Sequence, residues 1–513
     1  MTLIKMRLFA GFASGMMFLV SCADIPDSVR TETLPLKPCR VAFVDNEVRC
    51  GTLNVVENRS TAQGRTIGLN IVVLPAIARN KEPDPIFLFA GGPGQAATDL
   101  AREAFAILGG LNGKRDLVLI DQRGTGKSNG LYCKFPDDVL NEMADPAKRY
   151  ALSREAIAAC RLKLEAIADL TQYTTTIAMA DIEAVRAALG YEHINLWGGS
   201  YGTRAAMEYL RRYETRVRSV VLDGVAPPSL AMPESFARDA GVALHKMYMS
   251  CNKDTQCSGR YKDLKAGVEE LLANHAKQPR NVTVVDPATG IKREINISRD
   301  MLLTVIFSSL YVPEMAAMLP AAIARAMLGD YGPMMAMSAM SGESAEEKIA
   351  MGMRFSVVCA EDVPRIKRGP AAVLSSLQPE PFGQMFVDLF AKGCENWPKG
   401  QMASSFDQPV KSSKPVLIFS GALDPVTPPQ YGEEVKKNFS NSLHVIAPNI
   451  GHGVSHRGCG PKLLKKFVET ASVAGLDAKC LERLPRPTFF EPMREKPQKD
   501  RAGKPALIVE DKK

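Results

Sequence analysis

Gly198-Gly199-Ser200-Tyr201-Gly202 sets one hydroxyl among small residues. The apolar run Ile194–Trp197 before it reads as a strand, and a helical pattern near Thr203–Tyr213 follows. A tight strand-to-helix turn needs small flanks and lifts a serine hydroxyl to the carboxyl edge of a sheet. That hydroxyl is a weak nucleophile at neutral pH and needs a base. His452 lies in Gly451-His452-Gly453, a loop just after the strand-like Leu443–Ala447. His444 falls inside that strand and His193 at the start of another, so both read as structural. His456, four residues beyond His452, is the nearest rival.

A base needs an acid to fix its tautomer. Asp424 opens Asp424-Pro425-Val426-Thr427-Pro428, just beyond the strand-like Val416–Ser420. Alone it could be an ordinary loop-capping Asp. With Ser200 and His452 it makes three members at three strand ends, the set of groups that acyl transfer through a covalent intermediate uses. The resulting oxyanion needs donors, each worth about 3 kcal/mol of barrier. The backbone N–H of Tyr201 is one candidate. Gly92, in Gly91-Gly92-Pro93-Gly94 after the strand-like Ile86–Ala90, is the other. Asp121-Gln122-Arg123-Gly124-Thr125-Gly126-Lys127-Ser128 ends like a phosphate loop, but Asp121 stands where that motif requires Gly. It reads as a turn that buttresses the Gly91–Gly94 loop.

These groups need a scaffold. Further strand-like runs are Leu53–Val56, Ile67–Leu74, Leu117–Asp121 and Val220–Asp223. Helical patterns fall near Ala97–Leu108, Arg154–Leu170, Ile177–Leu189 and Lys462–Thr470. Near-continuous apolar strands alternating with helices predict an α/β fold, a mostly parallel sheet covered on both faces. Residues 226–410 interrupt the alternation. They read as a mainly helical cap with a hairpin-like piece at Val282–Ile297, inserted between core segments 22–225 and 411–484. Residues 485–513 read as a loosely held tail. Nine Met between Met315 and Met353 are either helix core or an adaptable apolar wall over a binding site.

The N-terminus reads as an address. Lys5 and Arg7 precede the apolar Leu8–Val20, and Leu19-Val20-Ser21-Cys22 closes it. This resembles a bacterial lipoprotein signal, with residues 1–21 removed and lipid on Cys22. It implies an exported chain anchored in the cell envelope, facing the periplasm, with Ala23 favouring the outer membrane. Ten further Cys remain. In an oxidising compartment an even count suggests five disulfides. One scheme pairs neighbours in order: Cys39–Cys50, Cys133–Cys160, Cys251–Cys257, Cys359–Cys394 and Cys459–Cys480. Buried free thiols are the alternative. Absence of a Cys-x-x-Cys pair and scarcity of His argue against zinc. The basic excess of 8 is spread along the chain, which argues against a nucleic-acid partner.

Gly-Gly-Pro-Gly-Gln, Asp-Gln-Arg-Gly-Thr-Gly-Lys-Ser, Gly-Gly-Ser-Tyr-Gly-Thr, Asp-Pro-Val-Thr-Pro and Gly-His-Gly occur in that order. Together they resemble the prolyl-aminopeptidase and tripeptidyl-aminopeptidase (TAP-like) branch of the α/β-hydrolase serine peptidases. Cys359-Ala360-Glu361-Asp362 and Cys394-Glu395-Asn396-Trp397-Pro398 also look like that group. Ala90 replaces the His usual before Gly-Gly-Pro-Gly in prolyl aminopeptidases, which moves weight to the tripeptidyl type. The resemblance implies Ser200 as nucleophile, His452 as base and Asp424 as orienter, with no metal or organic cofactor. It implies cleavage of short peptides near a free N-terminus. Glu361 and Asp362 are then candidates to meet the substrate ammonium, with solvated surface acids as the alternative. An esterase or amidase using the same triad, and a non-catalytic binding lipoprotein, are the competing readings. Oligomeric state stays open.

Overall fold

The computed structural model describes residues 34–491, except 43, 45, 62, 134–145, 286–289, 347–348, 367–380, 384–389 and 391. Cys22 and the whole address segment lie outside the described residues. The strands in chain order are β1 (Lys37–Cys39), β2 (Val48–Val56), β3 (Thr66–Leu74), β4 (Ile86–Phe89), β5 (Leu117–Ile120), β6 (Ile194–Gly199), β7 (Val217–Asp223), β8 (Arg280–Val285), β9 (Lys292–Ile297), β10 (Val416–Gly421) and β11 (Ser442–Ala447). Nine of them form one sheet in the order β1-β2-β3-β5-β4-β6-β7-β10-β11. The β1/β2, β2/β3 and β3/β5 pairs are antiparallel, and the other neighbours are parallel.

Strand β4 shows why the sheet is covered twice. Its side chains alternate in direction, as in any strand. Phe87 and Phe89 enter one core with Leu196, Leu222 and Ile418. Ile86 and Leu88 enter the other with Leu119, Val221 and Phe419. On the second face lie helices Ala101–Asn112 and Gly460–Thr470, contributing Leu108, Leu464 and Phe467. On the first lie helices Thr175–Ala188 and Tyr201–Tyr213, contributing Ile182, Ala205 and Tyr209.

Between β7 and β10 the chain leaves the sheet. Helices Met232–Lys253, Leu264–Lys277, Arg299–Leu310, Leu319–Met327, Gly332–Glu346 and Met351–Glu361 build this insertion, with β8 and β9 paired as a separate hairpin. Its Leu303, Ile306, Met334 and Val357 are continuous with the first core, so the cap and core share one apolar interior. Most described Met of the rich stretch face that interior, whereas Met340 is exposed.

Five disulfides join the cysteines in neighbour order. Strand β1 and helix Pro429–Lys436 are additions to the expected elements. Both are too short to carry a readable period. The tail expectation needs correction over its first residues. Phe489 is buried, Arg486 stacks on its ring, and Phe490 N–H donates to Ala317 O at 3.0 Å. An aromatic side chain docks this segment against the insertion. Among the described residues no helix is long and apolar enough to cross a membrane.

Candidate active site

Ser200 sits at φ +55°, ψ −125°, between β6 and helix Tyr201–Tyr213. A non-glycine residue there is strained, and its neighbours over-determine it. A Cβ on Gly198 would strike the Gly202 carbonyl, and one on Gly202 would strike the Phe89 carbonyl. Ser200 N–H donates to Asp223 O at 2.9 Å, which ties the turn to the end of β7. The Gly91–Gly94 loop runs alongside: a Cβ on Gly91 would lie 3.2 Å from Ser200 Cβ. Gly92 is at φ +106°. The N–H of Tyr201 opens its helix and so has no intrahelical acceptor. Asp121 braces this region by accepting from Thr98 N–H at 2.9 Å and Asn70 Nδ2 at 2.8 Å.

His452 Nδ1 meets Asp424 Oδ2 at 2.8 Å. Asp424 is itself tethered: Oδ1 accepts from Val426 and Thr427 N–H, at 2.9 and 2.8 Å, and Oδ2 from the Thr427 hydroxyl at 2.7 Å. Burial opposes charge on Asp424, but the nearby imidazolium and these donors outweigh it and hold the carboxyl below its ordinary range. Burial likewise opposes charge on His452, yet Asp424 prevails and raises the imidazole above its ordinary value. Gly224, at φ +68°, leaves the ring room, since a Cβ there would lie 3.2 Å from His452 Cε1. Gly224 follows Asp223, the residue that receives Ser200 N–H, so Ser200 and His452 converge on one strand end. Among the described residues no hydrogen bond joins Ser200 Oγ to His452, and such bonds are often long in ligand-free enzymes.

The other histidines sort by environment. His456 is exposed, and no carboxylate bonds to its ring among the described residues. His444 pairs with Ser420 Oγ at 2.9 Å and Glu433 at 2.6 Å, imitating a triad. Ser420 is fully buried, so no substrate can reach it. His193 is exposed at the start of β6.

Glu361 and Asp362 call for a correction. Both are fully buried, so they are neither surface acids nor an open ammonium site. Glu361 accepts from Thr175 N–H at 2.6 Å and the Thr175 hydroxyl at 2.8 Å. That hydroxyl also meets Tyr201 Oη at 2.6 Å. Asp362 pairs with Arg204 at 2.9 Å and Arg365 at 3.0 Å. Two acids in an apolar interior require such partners, and the end of helix Met351–Glu361 finds them on Thr175, on Arg204 of the helix that begins after Ser200, and on Arg365.

Thr427, Asp223, Thr175 and Tyr311 also touch the site and were not singled out from sequence. Asp223 accepts from Val454 and Ser455 N–H, each through an oxygen near 2.9 Å, and so holds the His452 loop. Its position at a strand's carboxyl end was the available signal. Thr427 lies within the Asp-Pro-Val-Thr-Pro motif, whereas nothing in the sequence marks Tyr311.

Residues 84–255 match the family model described as alpha/beta hydrolase fold, and residues 378–480 match that of TAP-like protein. Serine protease Hip1 of Mycobacterium tuberculosis is 23% identical over 92% of this chain and 97% of its own. Tripeptidyl aminopeptidase of Streptomyces lividans is 27% identical over 42% of this chain and 40% of its own. Carboxylesterase B of Mycobacterium tuberculosis is 25% identical over 79% of this chain and 81% of its own. With the mostly parallel sheet, the Ser200 turn and these matches together, the chain has the α/β-hydrolase fold, and its C-terminal part is similar to the TAP-like family.

Proposed function

We propose that this chain is a serine exopeptidase that cuts short peptides near their free N-terminus. The observation that carries the reading is the His452–Asp424 pair, set at the strand end that also holds the strained Ser200 turn. Similarity to a protein named serine protease and to one named tripeptidyl aminopeptidase supports the choice of a peptide bond. Ser200 Oγ attacks the carbonyl carbon while His452 Nε2 takes its proton. Asp424 stabilises the imidazolium, and the N–H groups of Gly92 and Tyr201 receive the oxyanion. His452 returns the proton to the leaving amine, which departs and leaves an acyl-enzyme. Water, deprotonated by His452, then releases the acid and restores Ser200.

The second reading is an esterase. Burial of Glu361 and Asp362 removes the acids expected to select a free ammonium, and one relative is named a carboxylesterase. Lipid on Cys22 and residence at the periplasmic side of the envelope belong to the same proposal. The Cys22→Ser chain is expected in the soluble periplasmic fraction, and that form suits assay. Matched tripeptide anilides with free and acetylated amino termini separate the two readings. Turnover of the free set alone, abolished in Ser200→Ala, is expected. Equal turnover of both sets, or of simple esters only, would replace the peptidase reading with the esterase. Finding Cys22→Ser still membrane-bound would remove the lipid anchor from the proposal.

A further inference from the structure

The His452 loop is built from residues that cannot hold themselves. Gly451 and Gly453 flank the ring, and Gly453 is at φ +86°. Glycine leaves the backbone many alternatives, so the imidazole depends on outside contacts for its aim. Groups outside the loop supply them. Asp424 holds Nδ1 from the loop after β10, and the Thr427 hydroxyl of the same loop lies 3.1 Å from that nitrogen. Asp223 holds the backbone of Val454 and Ser455 from the end of β7. Tyr311 adds a further hold, and it comes from the insertion.

Tyr311 follows helix Arg299–Leu310 and grips the loop in two ways. Its carbonyl accepts His452 N–H at 2.9 Å. Its ring stands edge-on to the imidazole, with centroids 5.1 Å apart and planes at 72°. A Cβ on Gly451 would strike the Tyr311 carbonyl, so the approach admits only glycine there. The ring is set in turn by the insertion: Phe307 stands edge-on to it at 5.3 Å, and Phe307 packs on Phe382. A surface pair extends the same contact, with Arg457 on Glu314 at 2.8 and 3.3 Å.

We infer that Tyr311 is a positioning residue for His452, so that the base is correctly aimed only while the insertion is seated on the core. The inference rests on His452 being that base.

The test uses the full chain and a free-amine tripeptide anilide, or p-nitrophenyl acetate if the esterase reading holds. Tyr311→Leu is expected to lower kcat roughly tenfold or more, as a small misplacement of a catalytic group does, with KM changed less than about twofold. Tyr311→Phe keeps both the ring and the carbonyl and should stay within about twofold of the parent rate. The exposed pair gives a test that does not disturb the interior. Glu314→Arg, facing Arg457, should lower kcat by about two- to threefold, the scale of a surface pair, and Arg457→Glu added to it should restore the rate. Parental kcat in Tyr311→Leu, equal losses in the Leu and Phe variants, or a change in KM alone would overturn the inference. If Tyr311→Leu does not fold, failure of the charge swap to lower and then restore kcat overturns it. His452→Ala separates the premise from the inference. If that variant keeps full activity, the base itself is misassigned. If it is inactive while the Tyr311 and Glu314 variants behave as the parent, only the positioning role fails.

Discussion

Asp424 shows how much one carboxylate must do here. It is buried, it accepts from three donors of its own loop, and it still meets His452 Nδ1 at 2.8 Å. The loop donors fix its oxygens before the imidazole arrives, so the tautomer with a proton on Nδ1 is the one that fits. Asp424 also makes protonated His452 more stable, which raises the pH at which the free base appears. Activity should therefore rise with pH through a midpoint above the ordinary 6.5 of histidine. In Asp424→Asn the charge is gone while burial remains. The midpoint should move below 6.5, and kcat should drop by about 10⁴-fold, as when a triad acid loses its charge. A pH–rate profile of both proteins checks this, and an unmoved acid limb in Asp424→Asn would refute it. Ser200, Asp424 and His452 were legible because glycines and prolines punctuate the turns that carry them. Asp223 and Thr427 act through backbone and hydroxyl contacts that have no spacing of their own. Ser420–His444–Glu433 shows the limit from the other side, since residue types alone would have admitted a triad that burial makes inaccessible.

At the level of elements, helix Met351–Glu361 spans the site. Ala350 N–H, just before it, donates to Gly94 O at 2.9 Å, and Glu361 at its end bonds Thr175 beside Tyr201. The two ends of this helix thus reach the Gly91–Gly94 loop through Ala350 and the Tyr201 side chain through Thr175. Burial raises the Glu361 carboxyl from 4.5 to about 7, with Arg204 only partly offsetting it. The folded chain then holds a proton that the unfolded chain releases near 4.5. The stability this confers is present at acid pH and is lost as pH rises through about 7. Glu361→Gln lacks that titration, so its melting temperature relative to the parent should improve between pH 5 and pH 8. Parallel curves would count against it. The parallel strands were legible from apolar runs bounded by turn residues. The Glu361 contact was not, because a sequence gives the type of an acid and not the interior that receives it.

Over the whole molecule, the sheet carries Ser200, Asp424 and His452 beyond its strand ends, and the insertion packs against it. The insertion shares the first core, closes its own disulfides Cys251–Cys257 and Cys359–Cys394, and receives the docked segment at Phe489. The break in strand–helix alternation is the sequence signal that points to it. Its contacts with the His452 loop were not legible, since they join Tyr311 to a segment well over a hundred residues away. Those contacts bear on the proposed aim of His452, whereas the central claim concerns the site itself. A fluorophosphonate probe, followed by peptide mass analysis, tests that claim most directly. One adduct on Ser200 is predicted in the parent chain, strongly slowed in His452→Ala and absent in Ser200→Ala. A parent chain that does not react, or one labelled at another serine, would contradict the assignment of Ser200 as a nucleophile activated by His452.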